Sequence, residues 1–152
     1  QHPEKGMTRG NRGGRALEAV EPDAPAIARL LDAARSSLAD AKLPDISNEG
    51  RFDMAYKAIM QCANAALQAN GFRTLTSKPG HHQTMIQTLT STIGLDASTM
   101  MLLDRLRKQR NVIDYSGDVV SLSMANQAVL HAEALLLHTE TWIRANKPDL
   151  LA

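Results

Sequence analysis

The sequence predicts an all-α protein, an up-and-down bundle of about five helices behind a disordered N-terminal tail. Three observations point there. Apolar residues make up 43% of the 152-residue chain while aromatics make up only 3%. A core so poor in rings must be built from Ala, Leu, Ile, Val and Met, which suits packed helices better than a sheet. Apolar positions recur at helical spacing through most of the chain, and no run shows convincing strand alternation.

Residues 1–22 read as a flexible basic tail. Gly6, Gly10, Gly13 and Gly14 alternate with Lys5, Arg9, Arg12 and Arg15 without apolar periodicity. Met7 offers a natural start within it. The bundle is expected over residues 23–147, followed by a short C-terminal tail at 148–152. The first helix runs from about Ala24 to Ala41, with Asp23 as cap, Pro25 in its first turn and Ile27, Leu30, Leu31, Ala34 and Leu38 inward. The second begins after Ser47 or Asn48. Its stripe of Phe52, Ala55, Tyr56, Ile59, Met60, Ala63, Ala66 and Leu67 ends at Gly71. A short third helix is expected from His82 to Ile93. A fourth, capped by Asp96 or Ser98, buries Met100, Met101, Leu103 and Leu106 and runs to Tyr115 before Ser116-Gly117-Asp118. The fifth spans about Ser121–Ala145, with Met124, Ala128, Leu135, Trp142 and Ile143 as inward candidates, and Pro148 bars its extension.

Composition also narrows function. A formal charge of +1 gives no global field, so affinity for nucleic acid must come from local clustering. The single Cys62 excludes an internal disulfide and a multi-cysteine metal site. No apolar run is long enough to span a bilayer, and no signal-peptide core is visible, so a cytoplasmic protein without a membrane association is expected. There is no phosphate-loop glycine pattern, nucleophile elbow or dinucleotide fingerprint. Neither a cofactor nor a metal is expected.

The chemistry concentrates in Leu106-Arg107-Lys108-Gln109-Arg110-Asn111-Val112-Ile113-Asp114-Tyr115-Ser116-Gly117. At about 100° per residue, Arg107, Asn111 and Asp114 fall on one face, flanked by Arg110 and Tyr115. Guanidinium, amide, carboxylate and phenol together can hold a phosphate or steer a proton. Alternatively, Arg110, Asp114 and Tyr115 form a self-satisfying network that fixes the turn. The cations can equally complement the helix dipole.

This run resembles the HEPN family of small all-helical domains, whose late-helix signature is an arginine and a polar residue followed by histidine or tyrosine. Arg110-Asn111 match the opening pair, and Tyr115 stands where ribonuclease members carry histidine. The resemblance extends to the Arg51-Phe52-Asp53-Met54-Ala55-Tyr56 helix start and the Gly80-His81-His82 junction, covering roughly residues 47–145. It implies a homodimer in which the motif faces its twin, and a composite cleft that cleaves RNA without metal. Arg110 would then neutralise the scissile phosphate and Asn111 orient it, with Asp114 and Tyr115 completing the catalytic set. Arg105, Arg107, Lys108 and Arg110 would form the nucleic-acid-binding face. Phenols titrate near about 10 and are poor bases at neutral pH, so the tyrosine bears on how far activity survives.

Two readings follow. One is an RNA-associated domain, a weak or degenerate metal-independent ribonuclease in a toxin–antitoxin or defence setting. The other is a non-catalytic module that pairs with itself or with a separately encoded protein such as a nucleotidyltransferase. His81 and His82 are secondary candidates. Adjacent helical side chains diverge by about 100°, so the two are not expected to serve one centre. The wide apolar circumference of the fifth helix, with Leu130, Leu135, Leu136 and Leu137, also favours a homodimer.

Overall fold

The computed structural model describes residues 16–77 and 79–151; most of the basic tail lies outside them. In chain order come β1 (Leu17–Ala19), α1 (Ala24–Ala41), α2 (Asn48–Ala69), β2 (Phe72–Thr74), α3 (His81–Gln87), α4 (Leu89–Thr92), α5 (Ala97–Ser116) and α6 (Leu122–Asn146), closed by a 3-10 turn at Pro148–Leu151. The protein is an all-α bundle carrying one small strand pair. α1, α2 and α6 pack on one another, and α3, α4 and α5 lie against α2.

The helix limits follow from their caps. Ser47 accepts a hydrogen bond from the Gly50 amide, Asp96 from Thr99 and Ser121 from Met124, each satisfying an amide that has no partner in the first turn. Asp23 occupies the cap position of α1 without a side-chain cap bond, and Pro25 sets its first turn. Gly117 closes α5 at φ 72°, a left-handed geometry that a side chain would strain.

Met101, expected inward, is 64% exposed on α5, and three details of the backbone also differ from expectation. β1 pairs antiparallel with β2, Glu18 standing opposite Arg73 and the two forming an ion pair. The ordered body therefore begins before Asp23. Three residues are too few to display alternation, which hid the strands. The expected third helix is divided at Thr88, whose hydroxyl donates to the Met85 carbonyl at 3.1 Å. At the other end Leu150 and Leu151 pack on a cluster of Ile27, Leu31, Ala65, Ala69 and Ile143, so the C-terminal segment is docked.

α2 runs through the main core. Phe52, Ile59, Cys62, Ala63, Ala66 and Leu67 are almost fully buried, facing Leu38 of α1, Ile86 of α3 and Ala128, Ala132 and Leu135 of α6. Small residues on α2 and α6 let these helices approach closely. Arg51 stays outside this core: its guanidinium donates to the carbonyls of Ala41 and Leu43, both at 2.9 Å, and pins the α1–α2 turn. Among the described residues no helix is long and apolar enough to cross a membrane.

Candidate functional site

An open cleft of about 540 Å³ lies between α2, α3 and α5. α2 contributes Asp53, Tyr56, Lys57 and Asn64, α3 contributes His82, and α5 contributes Arg110, Asn111 and Asp114. Those α2 positions are spaced by three, one and seven residues, which on a helix leaves them along one side. That side borders the buried stripe, so the cleft walls are mixed, with Met54, Met60 and Met85 between the polar groups.

Arg110 is the charged centre. Its Nη1 donates to Asp114 Oδ1 at 2.8 Å and sits 3.2 Å from Asp53 Oδ1. The second approach lacks hydrogen-bond alignment, and Asp53 Oδ1 is buried with no hydrogen-bond partner among the described residues. Burial raises the Asp53 pKa; Arg110 opposes this, while Glu49 and Asp114 add to it.

Tyr56 and His82 form the second centre. The Tyr56 hydroxyl lies 3.2 Å from His82 Nδ1, and the ring centroids are 6.0 Å apart. Burial pushes the Tyr56 phenol up to about 12, against the pull of Arg107 and Arg110. His82 is held below the usual imidazole range, first by burial and then by His81 and Arg107. The residue as a whole is nonetheless exposed to solvent. His81 packs edge-on against it, centroids 4.6 Å apart, and does not line the cleft.

The expected cationic face of α5 is divided. Arg107 turns inward, its Nε donating to Asp104 Oδ1 at 2.7 Å with both side chains largely covered. Only Arg110 reaches the cleft. Arg105 and Lys108 lie on the outer side, bordering a depression shared with Val112, Asp118 and Val119. Tyr115 is 93% exposed and takes no part in an Arg110–Asp114 network. The geometric reason is spacing: residues 105, 108, 112 and 115 step by three and four, which is a different helical stripe from 107, 110, 111 and 114.

The sequence places Tyr56 on the inward stripe of the second helix and offers His82 as a secondary candidate, with nothing to link the two. Tyr56 is indeed buried, and its hydroxyl is satisfied by His82. Asp53, within the Arg51–Tyr56 helix start, faces Arg110. Lys57 and Asn64 were legible only as polar positions beside the α2 stripe. Among the described residues there is no group of three metal-ligating side chains. His138 bonds the Ile93 carbonyl at 2.7 Å, away from the cleft. Cys62 is fully buried and its thiol is pushed up to about 12, chiefly by burial, which makes it a poor nucleophile.

No protein-family model, no curated protein and no solved structure matches the chain.

Proposed function

We propose that this is a HEPN-like, RNA-associated domain that holds a phosphodiester in the cleft between α2, α3 and α5. In this reading it is a weak, metal-independent ribonuclease of a toxin–antitoxin or defence system and acts in the cytoplasm as a homodimer. The observation that carries it is that Arg110 and Asn111 open onto a cleft also holding an imidazole and a phenol. Arg110 is occupied by Asp114, but that carboxylate is 53% exposed. Exposed pairs are worth about 0.2–1 kcal/mol, so a phosphate able to make a bidentate contact can displace it. Asp53 then remains behind the guanidinium and keeps it aimed.

The test is binding of a single-stranded RNA oligonucleotide at low ionic strength. Affinity should fall steeply with salt, and Arg110→Ala should remove most of it while leaving the helical content unchanged. Binding that ignores salt, or none at all at low salt, rules the reading out.

The second reading is a non-catalytic module pairing with itself or with a separately encoded protein such as a nucleotidyltransferase. It is favoured by the outer stripe of α5, where Met101, Val112 and Tyr115 are well exposed, and by exposed Val119 just beyond the helix end. Co-purification of a partner with RNA left intact would select it, with Tyr115 as an accessible hydroxyl for modification.

A further inference from the structure

Metal-free cleavage of RNA needs a side chain that takes up a proton near neutral pH, and imidazole is the group suited to it. α5 supplies none, because Tyr115 stands at that place and points to solvent. Among the described residues His82 is the one histidine that lines the cleft with Arg110 and Asn111.

We propose that His82 is the proton-transfer residue of this cleft and that Tyr56 is the residue that positions it. This rests on the phosphodiester reading above. The phenol hydroxyl, 3.2 Å from Nδ1, can donate to a bare Nδ1 or accept from Nδ1–H. It therefore anchors the ring in both charge states. With Nδ1–H given to Tyr56, the basic lone pair of this cleft-lining imidazole sits on Nε2.

The step balances without any redox partner. Nε2 takes the proton from a ribose 2′-hydroxyl, and the 2′-oxygen forms a bond to phosphorus. The bond from phosphorus to the 5′-oxygen breaks, and that oxygen takes a proton from cleft water. The imidazolium returns its proton to water. The products are a 2′,3′-cyclic phosphate and a 5′-hydroxyl, while Arg110 and Asn111 hold the non-bridging oxygens.

The surroundings suit this role. From α2 the facing groups are Asp53, Tyr56 and Lys57; from α5 they are Arg107, Arg110 and Asp114; on α3 itself there is His81. Burial keeps the imidazole unprotonated near neutrality, ready to accept. The phenol stays protonated, so it brings no competing negative charge.

The experiment uses the full chain, a fluorophore-labelled single-stranded RNA and a chelator, reading binding by anisotropy and cleavage by gel. The wild type is expected to cut, to leave a cyclic phosphate, and to spare an RNA with a 2′-deoxy sugar at the scissile position. His82→Gln should hold RNA within about twofold of wild-type affinity while cleavage falls about 10²–10⁴-fold. His82→Ala should recover part of its activity when imidazole is added, which a merely structural residue would not do. Tyr56→Phe should lower kcat about tenfold at unchanged KM and displace the acid limb of its pH profile. Full cleavage by His82→Gln, or wild-type protein that binds RNA without cutting it, overturns this assignment and leaves the RNA reading standing. Wild-type protein that binds no RNA at low salt overturns both.

Discussion

α2 and α5 are nearly equal in length, 22 and 20 residues, but twelve side chains are buried on α2 and four on α5. α2 is enclosed by α1, α3 and α6 and supplies the continuous stripe on which the bundle closes. α5 is held by Leu103, Leu106 and Ile113, together with the Asp104–Arg107 pair, and leaves most of its circumference open. The lesson is a division of labour. The helix with the chemical motif contributes little to the core, so its polar residues can be spent on a cleft on one side and a solvent-facing stripe on the other. Its partner α2 does both: Tyr56 belongs to the core by its ring and to the cleft by its hydroxyl.

The sharpest way to break this comparison is to remove large side chains from each helix. Phe52 is 1% exposed at the start of α2 and packs within the main core. Phe52→Ala should cost about 3–5 kcal/mol through lost transfer energy and the cavity left behind. On α5, Val112→Ala should stay within about 0.5 kcal/mol, because Val112 is more than half exposed. Urea denaturation of both variants measures the difference. Equal losses would mean that the outer face of α5 is covered in the folded protein, which is the outcome expected of a dimer closing on that stripe.

A smaller effect tests how α5 is anchored. Asp104 and Arg107 have side chains 11% and 14% exposed and joined by a 2.7 Å bond. Asp104→Ala leaves a largely covered guanidinium without its carboxylate, at about 2–3 kcal/mol, below the 3–5 of a fully buried pair. Replacing both residues with apolar ones should recover most of that loss. If Asp104→Ala is neutral in denaturation, α5 is held by its apolar contacts alone.

The same contrast explains what could be read in the sequence. α2 announced itself because its buried residues recur at three and four over five turns and Ser47 and Gly71 bracket them. α5 announced its motif but not its orientation. Its apolar residues are few enough that Arg105, Arg107, Lys108 and Arg110 could be taken as one face, whereas packing of Leu103 and Leu106 sends them to three different surroundings. The strand pair escaped because Leu17–Ala19 meets Phe72–Thr74 across 55 positions for only three residues each, a pairing set by tertiary contact. The Tyr56–His82 contact spans two helices and had no local signature. What pattern could give was the candidate set; which members converge was decided by how α3 and α5 dock on α2.

The finest distinction between the body and the cleft is in their histidines. His131 on α6 is held below the ordinary imidazole value of 6.5 by burial alone, and His82 by burial with help from His81 and Arg107. Because the fold favours the neutral ring at both places, their contribution is complete above 6.5, where folded and unfolded chains are both unprotonated. As the pH falls through 6.5, the unfolded chain takes up protons first, and stability is lost down to the folded values. Asp53 runs the other way. Its folded value is raised above 3.8, so between 3.8 and that value the folded chain holds the extra proton, and its contribution is lost as the pH rises. Thermal melts from about pH 7 to about pH 5.5 should therefore show a falling Tm in the wild type and a flatter fall in both His131→Gln and His82→Gln. A saturating RNA oligonucleotide should change the slope of the wild type and of His131→Gln but not that of His82→Gln, since only the cleft imidazole feels the bound phosphate. Identical slopes in all three proteins without RNA would show that neither ring is kept neutral by folding, and would remove the electrostatic support for His82 as a proton acceptor.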